Sequence, residues 1–176
     1  MRVNIILLLV ALCFGCSKPT PRRPINPKKS TTLLTETIKQ AKEINSIEND
    51  KIAALIKKDT ATNYIVSSNG FWYIYKTKIE EDLPKPKVGD DVVLTYNITD
   101  LNDSIIYSKE DLGIKKYKVD KEDFIPAIQT GIKLMKEGET ITFVIPSYSA
   151  FGITGDGNKI GINTSIKSTV TLIKIN

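Results

Sequence analysis

LMKEGETITFVIPSYSAFG, residues Leu134–Gly152, reads as a helix end, a turn, a strand and a shaped loop. Just upstream, Phe124–Met135 places Ile125, Ile128, Ile132 and Met135 three, four and three residues apart, the spacing of one helix face. Pro126 sits near its start, where a missing N–H costs nothing. Gly138 follows the last apolar residues, as a left-handed C-terminal cap would. Thr140–Ile145 then alternates, with Ile141, Phe143 and Ile145 on one face and Thr140, Thr142 and Val144 on the other, so a strand is expected. Pro146 stops it, and residues 147–152 form a loop presenting Tyr148 and Phe151.

Working outward, Gly70–Lys78 (GFWYIYKTK) alternates Phe71, Tyr73 and Tyr75 against Trp72 and Ile74, the pattern of an aromatic strand. Asp91–Ile98 is a second strand, Asn102-Asp103 a turn and Ser104–Ser108 a third strand. Tyr117–Val119 is short and extended. Ser165–Ile175 closes the chain as a strand anchored by Ile166, Val170 and Leu172. Strands outnumber helices, and one helix lies among them. That is an α+β pattern, an antiparallel β-sheet wrapped on one short α-helix. Gly152–Gly161 is glycine-rich but lacks the Lys-Ser/Thr ending of a phosphate loop, so it reads as a mobile flap.

Thr31–Asp59 carries Leu34, Ile38, Ala41, Ile52 and Leu55 at mostly helical spacing without Pro or Gly. It predicts an N-terminal helical extension, as one long helix or two short ones, with Asn45 and Glu48 spaced as a capping box for a second. Packing against the body and partner binding both remain open for it.

Charge placement excludes one large class. Six of the 25 basic residues precede Ser30 and none of the 20 acidic ones does, leaving 19 basic against 20 acidic in the body. A near-neutral body disfavours nucleic-acid binding. The absence of histidine removes His-based triads and imidazole acid–base catalysis. Both cysteines, Cys13 and Cys16, lie in the leader, so the body holds no disulfide or Cys-ligated metal. No cofactor is implied.

The apolar run Val3–Leu12 after Arg2 is too short to span a bilayer and reads as a secretory signal. Leu12-Cys-Phe-Gly15-Cys16 resembles a bacterial lipobox, which implies lipidation of Cys16. Ser17–Ser30, with four prolines and five cations, reads as an extended tether. The expected organisation is a lipoprotein signal peptide over 1–15, a Pro/basic tether over 16–30, a helical extension over 31–62 and a sheet domain over 63–176.

Met135-Lys-Glu-Gly138-Glu139, Ile145-Pro146 and Ala150-Phe151-Gly152-Ile-Thr-Gly155 together resemble the heart of the FK506-binding-protein type of peptidyl-prolyl isomerase. The resemblance extends to Lys85-Pro-Lys-Val88-Gly89-Asp90 and Asp91-Val-Val-Leu-Thr-Tyr96. It implies a pocket of Tyr96, Ile106, Tyr107, Tyr117, Phe124, Ile125, Ile128, Phe151 and Ile160. By resemblance, Ile125 offers its backbone N–H to the ligand. Ile106 stands where a phenylalanine is usual, Tyr107 where a buried aspartate is usual, Ile128 where a floor tryptophan is usual, and Ser168 where another phenylalanine is usual. Gly70-Phe-Trp-Tyr, Ile105-Ile-Tyr-Ser, Gly131-Ile-Lys-Leu-Met-Lys and the leader are similar to the gliding-motility-associated lipoprotein branch of that family.

The resemblance implies rotation about X–Pro bonds, which breaks no covalent bond and needs no nucleophile. Its partners would be proline-containing segments of exported proteins, with a lipid anchor holding the protein at the outer membrane, facing the periplasm. The departures at Tyr107, Ile128 and Ser168 imply weaker activity. The alternative is a chaperone or interaction module serving a motility or secretion machine.

Overall fold

The computed structural model describes residues 31–60 and 62–176. The expected leader, tether and Cys16 lie outside the described residues. Strands β7 (Thr140–Ile145) and β8 (Ile166–Ile175) form the centre of the sheet. Ile141, Phe143 and Ile145 stand opposite Val170, Ser168 and Ile166, and all six are buried. The twofold alternation of a strand puts these pairs on one face. Strand β2 (Trp72–Thr77) flanks β7, and β1 (Ile65–Val66) lies outside β2. Strand β3 (Asp91–Tyr96) flanks β8, with β6 (Lys115–Lys118) beyond it. The order is β1-β2-β7-β8-β3-β6, and every pairing is antiparallel.

The strand expected over Asp91–Ile98 breaks at Asn97. Asn97 Oδ1 accepts the Thr169 N–H at 2.8 Å, and the buried Ser168 Oγ donates to the Asn97 carbonyl at 2.7 Å. A side chain that bonds neighbouring backbone competes with a regular ladder. Strand β4 (Ile98–Thr99) restarts beyond it, pairing with β8 and with β5 (Ile105–Tyr107). A one-turn helix, Lys109–Leu112, follows; Ser108 and Asp111 cap it reciprocally.

The core helix is shorter than its periodicity predicts, running Pro126–Ile132. Leu134 and Met135 N–H donate to the Gly131 and Ile132 carbonyls at 3.0 Å, a tightened turn that keeps Met135 buried without extending the helix. Gly138 is therefore not its cap. With φ +85° it turns the chain into β7, its N–H donating to the Leu172 carbonyl at 2.8 Å. Gly131 permits the helix to lie close on β7, since a Cβ there would sit 2.4 Å from the Phe143 ring.

Glu139 is buried at 2% exposure and fully engaged. Its Oε1 accepts the Ile79 N–H at 2.9 Å and its Oε2 the Lys136 N–H at 2.8 Å. The carboxylate thereby ties the connection after β2 to the turn before β7.

The N-terminal extension is one helix, Thr31–Lys58, continuous through Asn45. Glu48 is thus free of capping duty, and its side chain turns to another use. The chain falls into two units, Met1–Ile38 and Lys39–Asn176. In the first unit Leu34 and Ile38 are exposed. In the second Ile52 is buried, lining with Tyr64, Leu101, Val144 and Lys167 a cavity of about 100 Å³. Val144 belongs to the set of β7 residues opposite the core-facing ones, so this helix covers the sheet's second face there.

Candidate active site

An open cleft of about 270 Å³ is lined by Tyr96, Asp123, Phe124, Ile125, Ala150 and Phe151. Three chain segments meet there. Tyr96 ends β3, Phe124 and Ile125 lead into the core helix, and Phe151 follows the 3-10 turn Ser147–Ser149.

Each wall is held by its neighbours. The Phe124 ring meets Tyr96 edge-on, centroids 5.2 Å apart at 87°, and its centroid lies 5.4 Å from that of Tyr117. Such tilted arrangements suit the ring quadrupoles. Lys115 Nζ stands 5.7 Å from the same ring's centroid. Tyr117 is buried, and its hydroxyl accepts the Asp120 N–H at 3.0 Å, fixing the turn that delivers Phe124. Ile125 is extended at φ −61°, ψ 119°, as a residue before proline prefers, and its carbonyl accepts the Gln129 N–H at 2.9 Å. On the third wall the Ser147 carbonyl accepts the Ala150 N–H at 2.9 Å and the Gly152 N–H at 2.8 Å, gripping the chain on both sides of Phe151. Burial pushes the Tyr96 hydroxyl above the ordinary tyrosine value.

Of the nine residues expected to form the pocket, Tyr96, Phe124, Ile125 and Phe151 line this cleft together. Tyr117, Ile128 and Ile160 are buried in the core cluster behind it. Ile106 and Tyr107 are half-buried and pack on that cluster without lining the cleft.

Tyr107 instead meets the glycine-rich loop. Its hydroxyl donates to Asp156 Oδ2 at 2.5 Å. Lys159 Nζ lies 4.8 Å from the Tyr107 ring centroid and donates to the Ile106 carbonyl at 3.1 Å. Asp156 Oδ1 accepts the Asn158 and Ile160 N–H groups at 2.9 and 2.8 Å. Burial pushes the Asp156 carboxyl up, but these three hydrogen bonds outweigh it and leave the group below the usual carboxylate range. The same bond to Asp156, with burial second, raises the Tyr107 hydroxyl. The loop read as a mobile flap is thus fastened to β5 at its tip.

Sequence reasoning missed Asp123 and Ala150 in the lining, and Asp156 as the partner of Tyr107. Asp156-Gly157-Asn158 is a legible turn signal; the contact across to Tyr107 has no local signature. Among the described residues there is no cluster of three or more acidic, Cys or His side chains able to hold a metal ion, and no helix long and apolar enough to cross a membrane.

The model of the FKBP-type peptidyl-prolyl cis-trans isomerase family matches residues 83–173, which include all the lining residues of the cleft. This chain belongs to that family. A relative named "Probable FKBP-type peptidyl-prolyl cis-trans isomerase FkpA", from Neisseria meningitidis serogroup B, is 28% identical over 127 residues, covering 72% of this chain and 46% of the relative. The chain thus spans about half the length of that relative. Two solved structures share the fold. A peptidyl-prolyl cis-trans isomerase from Pseudomonas syringae pv. tomato gives a TM-score of 0.59 at 20% identity, covering 74% of this chain and 95% of its own. FkpA from Escherichia coli gives 0.61 at 22% identity, covering 100% of this chain and 82% of its own.

Of the positions where the resemblance implies another residue, Ser168 is fully buried with its hydroxyl committed to Asn97. Ile128 is fully buried beneath the helix start. At position 107 the resemblance implies an aspartate, and the residue present is a tyrosine bonded to Asp156. The hydroxyl stands on β5, and the carboxylate comes from the loop.

Proposed function

We propose that this FKBP-type chain is a peptidyl-prolyl cis-trans isomerase that acts on X–Pro bonds through an apolar pocket and without covalent catalysis. The observation that carries this reading is the convergence of Tyr96, Phe124, Ile125 and Phe151 on one open cleft. Rotation about an X–Pro amide faces a barrier of roughly 20 kcal/mol and takes tens to hundreds of seconds unaided. The twisted amide has lost resonance and is less polar than the planar one. Apolar walls therefore favour it over the ground state, which is the differential binding that catalysis requires. The relative's printed name, an FKBP-type isomerase, supports the same activity here. The test is acceleration of cis-to-trans conversion in a prolyl peptide by the purified protein. Rates equal to buffer alone would refute the reading.

A second reading is favoured by one observation, the commitment of the Tyr107 hydroxyl to Asp156 at a position where the resemblance implies an aspartate. In that reading the protein binds prolyl segments with weak turnover or none, as a chaperone or interaction module for a gliding-motility or secretion apparatus. Peptide binding without isomerisation above background would select it.

The leader sequence supports placement as a lipoprotein anchored through Cys16, with the tether holding residues 63–176 off a periplasm-facing outer membrane and exported proteins as substrates. The proposed assignment to the gliding-motility lipoprotein branch rests on the same leader and on the motifs quoted above. Cys16→Ser should move the protein from the membrane fraction to the soluble one; a variant that still pellets would remove the anchor from the reading.

A further inference from the structure

We propose that Glu48, on the N-terminal helix, is a positioning residue for the Phe151 wall of the cleft. The inference rests on the isomerase reading only for its kinetic consequence. Glu48 Oε1 accepts the Ser147 N–H at 2.7 Å and also the Ser165 hydroxyl, while its Oε2 accepts the Ser147 hydroxyl at 2.8 Å. Ser147 opens the segment that carries Phe151, and Ser165 closes it just before β8. One carboxylate therefore joins the two ends of the loop whose residues wall the cleft.

The path from Glu48 to Phe151 has a single intermediate. Ser147 is held by Glu48 through its N–H and its hydroxyl. Its carbonyl in turn accepts the Ala150 and Gly152 amides that flank Phe151. Gly152 passes the constraint on, since its carbonyl accepts the Asn163 N–H at 2.9 Å. Hydrogen bonds to an ionised acceptor are the strong ones, and the Ser147 residue they hold is buried at 3% exposure. Neighbouring contacts keep the helix in place. Tyr148 donates to Asn49 Oδ1 at 3.0 Å, and Ile52 one turn on from Glu48 is buried. Glu48 precedes residue 83, where the family match begins, so this carboxylate holds the ends of the cleft's loop from outside the matched region.

The experiment compares Glu48→Ala, Glu48→Gln and Ser165→Ala in the whole chain by amide hydrogen exchange and by prolyl-peptide isomerisation. Local opening speeds exchange in one region, whereas loss of global stability speeds all slow amides together. In Glu48→Ala the Ala150, Gly152 and Asn163 amides should exchange faster, with the β3–β8 pairing unchanged. A misplaced wall should lower kcat/KM by about tenfold. Glutamine keeps an acceptor for the Ser147 N–H, so Glu48→Gln should recover most of both losses. Ser165→Ala, which removes one donor and spares Ser147, should give a smaller change of the same pattern even if Glu48→Ala fails to fold. Uniform exchange changes, or none in any variant, would overturn the proposal. If the wild type does not isomerise prolyl peptides, the enzymatic reading falls, while exchange confined to residues 147–165 still establishes the positioning role.

Discussion

The Tyr107 hydroxyl and the Asp156 carboxylate, 49 residues apart in the chain, form a hydrogen bond of 2.5 Å that fastens the glycine-rich loop to β5. Its pH dependence has two edges. The Asp156 carboxyl is lowered on folding, so its contribution is present above the ordinary carboxylate value of about 4 and is lost as pH falls through the folded value. The Tyr107 hydroxyl is raised, so its contribution is complete below about 10 and is lost as pH rises through the folded value. Tyr107→Phe should therefore be less stable than wild type between those limits, with the gap narrowing on either side. Thermal unfolding from acid to alkaline pH would check this. A gap of constant size through the acid edge would mean that Asp156 is not the partner that matters.

Activity should respond to the cleft's walls in a fixed order. Phe151→Ala removes aromatic contact. Losing roughly 50 Å² at about 25 cal/mol per Å² costs about 1.3 kcal/mol, near tenfold in kcat/KM. Tyr96→Phe keeps the ring that meets Phe124 and removes a hydroxyl with no protein partner among the described residues, so its cost should be smaller. Full activity in Phe151→Ala would place the substrate elsewhere.

What the sequence made legible follows from local patterns. The inner face of β7, the anchors Ile166, Val170 and Leu172, and the aromatic strand all rest on a period of two, which any reader of the chain can count. The helix start at Ile125-Pro126 is equally local. The helix end was misread because Met135 keeps apolar spacing through a tightened turn, and burial periodicity does not distinguish that turn from another helical one. Asn45–Glu48 satisfied the spacing of a capping box, but spacing cannot show that a carboxylate has partners a hundred residues away. The same holds for Tyr107. Its position read as the loss of a polar anchor, while the compensating Asp156 lies on a different segment. Ser168 looked like a lost wall, and its hydroxyl in fact secures the break at Asn97.

Glu139 should matter for stability more than for activity. Glu139→Ala leaves the partly buried Ile79 and Lys136 amides without their acceptor, costing on the order of 2 kcal/mol. Glutamine preserves one acceptor but turns an amide donor toward the other N–H, so Glu139→Gln should fall between alanine and wild type. Denaturant unfolding followed by the fluorescence of Trp72, the single tryptophan, would read both. An alanine variant as stable as wild type would show that the turn before β7 is held by other contacts.

Gly131→Ala sets two effects against each other. In an exposed helix interior alanine is better than glycine by about 1 kcal/mol. Here its Cβ would lie 2.4 Å from Phe143 Cε1. That ring is fully buried and packs edge-on against Phe71 at 5.7 Å, so it has little room to yield. Overpacking of this kind typically costs 1–3 kcal/mol, about enough to cancel the propensity gain and exceed it. The net expectation is a lower Tm for Gly131→Ala. Phe143→Leu removes the atoms that clash, at its own cost in buried area. In that background the alanine should be neutral or stabilising, because only the propensity term survives. A double-mutant cycle measures this directly, since residues in contact couple and distant ones add. Equal destabilisation by Gly131→Ala in both backgrounds would mean that the glycine is required by something other than the approach of the helix to Phe143.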